Sequence, residues 1–357
     1  MIYFIIFFFI AFLSLFTQAK LPGNLSFLVF FLVSLILICF AGFRGDIEGD
    51  YESYKDIFQQ SINRYSVDAN IEPAYFYFNK LVLYIGLPFQ VIVFLMAVFS
   101  LLPKFYFFKK HSTNFALSVL IYYSTAYFIF DFIQIRQAVS IAIFIFALKF
   151  VYKRKFWPYF FCMIAAAQIH VSALLIIPCY FFVNFKYSKT VLYIIVGICA
   201  FINIFQITVP LVSFLLSFIP IPGFADAKLA FYQSSTDFSI VSIKQLVLAV
   251  LFIFIRGKID SDDKLNNILV NLFVTGVLLT TCFNGMSELA FRIKWYFFWT
   301  EAILMINVIQ FISRHSLTFI YLSYICLFIF YAVSVSSMLN EFASRGPYIF
   351  PYKLFFQ

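Results

Sequence analysis

Apolar runs of about 20 residues recur along the whole chain, parted by short polar connections. As a helix, a run of that length crosses about 30 Å of hydrocarbon. The runs are continuous rather than alternating, so helices that satisfy their own backbone are expected rather than a β-barrel. Spans are predicted near residues 2–18, 26–43, 88–108, 114–130, 137–152, 157–169, 171–185, 190–217, 241–256, 267–284, 293–312 and 316–338. That is about twelve crossings, with both termini on the outer side. The first run, Ile2 to Phe16, lacks a basic leading region and a small-residue cleavage site, so it reads as a retained helix. There is no internal repeat. The expected fold is an all-α, multi-pass integral membrane protein forming one polytopic domain over residues 1–357.

Several segments break this pattern. A polar stretch of 29 residues, Arg44 to Glu72, opens with RGDIEGDYESYKDIF and holds seven of the sixteen acidic residues. Within it Tyr51, Tyr54, Phe58, Ile62 and Tyr65 follow helical spacing, while Glu52, Lys55, Asp56, Gln59 and Arg64 lie elsewhere on the wheel. This predicts an amphipathic helix at the outer interface. Next, Pro73 suits a helix start and Gly86-Leu87-Pro88 a stop. The helix between them reaches only about 20 Å, too short to cross, so it is expected to be re-entrant or interfacial. Lysines flank residues 156–185 at both ends, which predicts a hairpin of two short legs with His170 and Ser172 at its tip. A further outer loop is expected over 219–240.

Composition agrees with the pattern, because 64% hydrophobic and 11% charged residues exceed what a soluble domain can cover with polar surface. The net charge of +9 raises nucleic-acid binding, but the basic residues are dispersed among short connections and argue against it. Lys104, Lys109 and Lys110, then Lys153, Arg154 and Lys155, then Lys186 and Lys189, then Arg256, Lys258 and Lys264, then Arg314 mark every second connection. By the positive-inside rule those connections are cytoplasmic. The intervening ones, with most of the acidic residues, face outward. Six cysteines lie in apolar runs without paired spacing, so neither a disulfide framework nor a zinc site is implied.

Arg44, Arg136 and Arg292 all fall at the outer ends of spans. One such arginine can simply snorkel to headgroups, but three at one level suit a diphosphate, which guanidinium grips bidentately. His170 at a hairpin tip below the surface is either functional or hydrogen-bonded to a neighbouring helix. Asp46, Glu48 and Asp50 are spaced closely enough for a metal, although arginine alone can neutralise a diphosphate, and the expectation is no metal and no cofactor. Asp260, Asp262 and Asp263 read as a solvated turn.

The succession RGDIEGDYESYKDIF, EPAYFYFNKLVLYIGLP, IRQAVSIAIFIFALKF and KRKFWPYFFCMIAAAQIHVSALLIIP resembles the EpsG family of Wzy-type polysaccharide polymerases, over roughly residues 40–310. The resemblance implies a GT-C-like frame with its active site on the outer side of the bacterial cytoplasmic membrane. It implies a glycosyltransferase that moves a growing glycan from undecaprenyl diphosphate onto a new lipid-linked repeat unit, as in O-antigen, capsule or exopolysaccharide synthesis. The implied partners are those lipid-linked oligosaccharides and membrane lipid, with a chain-length regulator and a flippase nearby. In this scheme Arg44, Arg136 and Arg292 hold the leaving diphosphate. Asp50 is the expected general base and His170 a substrate contact, with the reverse assignment as the alternative. Tyr51, Tyr54, Gln137 and Ser172 are expected to touch glycan or lipid. Two other classes stay open: a flippase or transporter of the same lipid, and a membrane acyltransferase acting on the glycan.

Overall fold

The computed structural model describes residues 1–17, 22–47, 49–61, 71–205, 207, 240–258, 263–283, 287–314, 317–344 and 351–356. The sequence-based expectations for Glu48, Ile62, Arg64, Tyr65, Asp260, Asp262 and most of the 219–240 loop lie outside these residues. The elements are α1 (Ile2–Phe16), α2 (Gly23–Gly42), α3 (Tyr51–Gln60), α4 (Pro73–Tyr84), α5 (Phe89–His111), α6 (Phe115–Tyr122), a π-helix (Tyr123–Ile133) and α7 (Ile135–Tyr152). After them come α8 (Phe156–Ala167), a 3₁₀ helix (Val171–Ile176), α9 (Cys179–Phe182), α10 (Lys189–Ile204), α11 (Ile240–Ile255), α12 (Lys264–Cys282), α13 (Ser287–Phe298), α14 (Glu301–Ser313) and α15 (Leu317–Ser344). Among the described residues no strand forms, and an isolated antiparallel bridge joins Arg44 to Leu354.

The fold is all-helical and multi-pass. Among the described residues six stretches are long and apolar enough to cross a membrane: Gly23–Gly42, Phe89–His111, Phe115–Ile133, Ile135–Tyr152, Lys264–Cys282 and Thr318–Ser344. A seventh is counted if Ala290–Phe298 and Glu301–Ser313, bent by 42°, make one broken span. The other apolar runs fold as helices of 10–17 residues. By length and apolarity the described residues supply six or seven candidate crossings, beside the shorter apolar helices over several of the other expected spans.

The chain divides into two compact units, Met1–Ile177 with Ile312–Gln357, and Pro178–Phe311. In the first, α5 packs between α2 and α7, α8 lies on α7, and α6 lies on α1. In the second, α12 meets α10, α11 and α13. Gly276 of α12 has no room for a side chain, since a Cβ there would stand 2.6 Å from Phe297.

Continuous with α6, the π-helix draws all its aromatic rings into the interior: Tyr123, Tyr127, Phe128, Phe130 and Phe132 are buried. The bond from Gln134 N to Ile129 O, 2.9 Å, continues its five-residue register up to the start of α7. The π-helix also carries a buried acid, Asp131, facing Lys104 of α5. Lys104 is therefore not in a cytoplasmic connection, as the charge pattern implied. It is wholly buried within α5, donating to Ser100 Oγ at 2.6 Å, Tyr122 Oη at 2.7 Å and Asp131 Oδ1 at 3.1 Å. Ser100 and Tyr122 in turn donate to the Asp131 carboxylate. The three protons of the ammonium each have an acceptor, so the charge is tolerated without water.

Candidate active site

The polar loop leaves α2 under tight restraint. Gly45 N donates to Lys353 O at 2.9 Å, and Phe355 N donates to Phe43 O at 3.1 Å, so the C-terminal residues clasp the start of the loop. A Cβ on Gly45 would stand 3.1 Å from Leu354 O, which is why glycine suits the position. Between these bonds Arg44 is fully buried. Its guanidinium donates to Ala41 O at 2.7 Å and to Phe132 O, and lies 5.3 Å from the centre of the Phe132 ring. A cation at the carbonyl ends of α2 and the π-helix complements both helix dipoles. Arg44 is thus committed to joining these helix ends, not exposed for a ligand.

The amphipathic helix α3 buries Tyr51, Tyr54 and Phe58, as its spacing predicts, but against protein. Tyr51 and Phe58 pack on Phe89 at 5.3 and 5.7 Å between ring centres, and Tyr54 packs on Tyr75 at 6.0 Å. Tyr51 Oη donates to Gln90 Oε1 at 3.3 Å, and Gln90 Nε2 donates to Arg44 O at 3.0 Å. Tyr51 therefore ties α3 to the loop base. Asp50 sits exposed just before α3 and makes no side-chain capping bond to it. Asp46, also exposed, is held by Glu52: burial first, and then the neighbouring carboxylate, raise its pKa above the usual carboxylate range.

Three elements meet at Arg136, the second residue of α7. Its guanidinium pairs with the Glu72 carboxylate and stands 5.5 and 5.4 Å from the ring centres of Tyr54 and Tyr75. Glu72 begins α4, where Pro73 occupies the first helical turn. Its other carboxylate oxygen accepts from Val171 N at 3.3 Å, and Ala74 N donates to Gln168 O at 2.9 Å. The helix start after the polar loop is therefore pinned to the turn after α8. In that turn His170 Nδ1 lies 2.6 Å from Ser172 Oγ, which fixes the imidazole ring. Ile169 completes the join by packing on the cluster of Tyr51, Tyr54, Phe58, Tyr75, Phe89 and Ile135.

The structure thus brings together Arg136, Tyr54, His170 and Ser172, and adds Glu72, which the sequence reading used only as a loop boundary. Its signal was present: an acid directly before a helix-starting proline, at the end of the charge-rich loop. Gln137 is buried on α7 at 1% exposure, facing the interior rather than a ligand space. Arg292 belongs to the second unit, exposed on α13. Among the described residues no group of three or more metal-ligating side chains converges.

A sequence model of the EpsG family matches residues 27–354, nearly the whole chain. The chain belongs to the EpsG family. This is a Wzy-type polymerase-like family, which assigns a membrane polysaccharide polymerase-like role, glycosyltransferase-like in kind. No curated protein and no solved structure matches the chain. As in the motifs quoted above, the matched region includes the polar loop, Arg136, the His170 turn and the arginine on α13.

Proposed function

We propose that this EpsG-family chain joins undecaprenyl-diphosphate-linked oligosaccharides into a surface polysaccharide, working at the outer face of the bacterial cytoplasmic membrane in a GT-C-like frame. The observation that carries the reading is that the Glu72 carboxylate, at the start of α4, joins the Arg136 guanidinium of α7 to Val171 N in the His170 turn. In the reaction an acceptor hydroxyl attacks the anomeric carbon of the donor sugar. The bond to the diphosphate oxygen breaks, the hydroxyl proton passes to a base, and undecaprenyl diphosphate leaves with the negative charge.

Arg136 is the residue we give to the leaving diphosphate. Its side chain keeps 22% of its surface exposed, so the Glu72 pair leaves the guanidinium accessible to a second anion. The adjacent Tyr54 and Tyr75 rings lower the polarity beside the guanidinium and strengthen the attraction. Glu72 orients the guanidinium and ties it to the hairpin turn.

For the base, the geometry favours His170, because it lies one residue from the N–H that holds Glu72, and Ser172 on Nδ1 orients its ring. Asp50, exposed at the start of α3, is the alternative. The deciding test is polymerisation by the purified chain on lipid-linked repeat units, with His170→Gln and Asp50→Asn compared and donor binding checked separately. His170→Gln is expected to bind donor and make no polymer; an active His170→Gln beside a dead Asp50→Asn would reverse the assignment. In a deletion strain, single-repeat caps on a glycan gel support polymerisation. A glycan missing altogether would favour a flippase, and a full ladder of altered mass an acyltransferase.

A further inference from the structure

In the second unit the last turn of α11 meets the first turn of α10, and among the described residues no acid pairs with Arg256 there. Arg256, directly after α11, is buried with 7% of its surface exposed. Its Nη2 donates to Tyr187 O, while its Nη1 has no hydrogen-bond partner among the described residues. Burial lowers its pKa, and no carboxylate among the described residues acts on it. Beside it, Lys189 Nζ donates to Phe254 O at 3.0 Å, and the charges of Lys258 and Arg256 both act on Lys189. Lys258 is exposed, its ammonium 3.7 Å from the centre of the Phe254 ring. The nearest described acid in sequence, Asp263, is engaged elsewhere: its Oδ1 accepts from Leu265 N at 2.8 Å and Asn266 N at 3.1 Å, capping α12.

A buried guanidinium with an unmatched donor, next to two ammonium groups, costs free energy that an anion would offset. The same helix pair also holds a place for an apolar chain. One turn in from Lys189, a groove of about 370 Å³ runs between α10 and α11, lined by Tyr193, Val196, Gly197, Ala200, Val247 and Val250. Nothing lies within 4 Å of where a Cβ on Gly197 would stand, so the groove is open there. Charge at the helix ends and an apolar channel beside it match one amphiphile, with an anionic head and a hydrocarbon tail.

We propose that Arg256, Lys189 and Lys258 hold the phosphate of an anionic phospholipid, with one acyl chain in the α10–α11 groove. This site does not depend on the polymerase reading and uses none of the residues given to it. The positive-inside rule assigns this end to the cytoplasmic leaflet, where anionic headgroups meet basic helix ends.

The test uses the full chain in neutral detergent, with lipid retention read by native mass spectrometry. Phosphatidylglycerol and phosphatidylcholine of identical acyl chains are compared, and inorganic phosphate and diphosphate are added separately. Phosphatidylglycerol is expected to be retained preferentially, and Arg256→Gln or Lys189→Gln to weaken its retention about fivefold each. Gly197→Leu, which builds a side chain into the groove, should weaken both lipids. Lys189→Gln guards against a folding defect in Arg256→Gln. Equal retention of the two lipids would overturn the proposal. So would phosphate or diphosphate displacing phosphatidylglycerol completely while Gly197→Leu changes nothing, since that marks a free-anion site.

Discussion

Removing the Asp131 carboxylate tests the buried ion pair at the centre of the first unit. Asp131→Asn keeps the size and a hydrogen-bonding oxygen but leaves the Lys104 charge with no counter-ion, both residues being at most 1% exposed. At the observed 3.1 Å and an effective dielectric constant of about 20, the lost attraction is about 5 kcal/mol. Breaking a buried pair from one side costs about 3–5 kcal/mol by experience, which agrees. For a chain of 357 residues the lower figure corresponds to a fall in thermal midpoint of about 4 °C. The assay is thermal unfolding of purified variants in one detergent, followed by the loss of monodisperse protein. The double variant Lys104→Met with Asp131→Leu removes both charges and both desolvation penalties, so it should recover most of the loss. An Asp131→Asn protein melting within about 2 °C of the parent would refute the reasoning. So would a double variant as unstable as the single one. Because Asp131 lies in the π-helix that delivers Arg136 to α7, polymerisation by the stable double variant shows whether the pair also sets the active-site register.

Other outcomes follow from the same geometry. Arg136→Ala should abolish the glycan ladder while the protein stays in the membrane, and Arg136→Lys should restore only part of it, because an ammonium cannot form the guanidinium fork; normal ladders from both would remove Arg136 from the chemistry. Glu72→Gln keeps the bond from Val171 N but loses the charge on Arg136, so it should weaken polymerisation less than Glu72→Ala, compared by ladder intensity. Asp46 has a folded pKa above its unfolded value, so its stabilising contribution is full below about pH 3.9 and is lost as pH rises through the raised pKa. Glu52→Gln should move that titration down, read from the carboxylate infrared band, and an unmoved band would disconnect the two acids. Cysteines placed at exposed Ser53 and Ser188, in a background without native thiols, should label from opposite sides of the membrane; same-side labelling would overturn the proposed orientation.

Much of the architecture was legible as one-dimensional pattern. Apolar run length, proline and glycine at helix ends, and the spacing of Tyr51, Tyr54 and Phe58 are local properties, because a helix is closed by bonds within its own segment. That is why α3, the short α4 and the turn after α8 stand where the sequence put them. Which charges face what is a different kind of fact, since it depends on residues far apart in the chain. Lys104 reads as a loop lysine until Ser100, Tyr122 and Asp131 are folded around it, and Arg44 reads as a ligand until the carbonyls of Ala41 and Phe132 close on it. Arg136 and Glu72 are 64 residues apart, and no periodicity links them. In a chain with so few charges, hydropathy determines where helices run, but the choice between a buried anchor and a reactive group is made by desolvation. Only packing decides which groups are desolvated and which partners repay it.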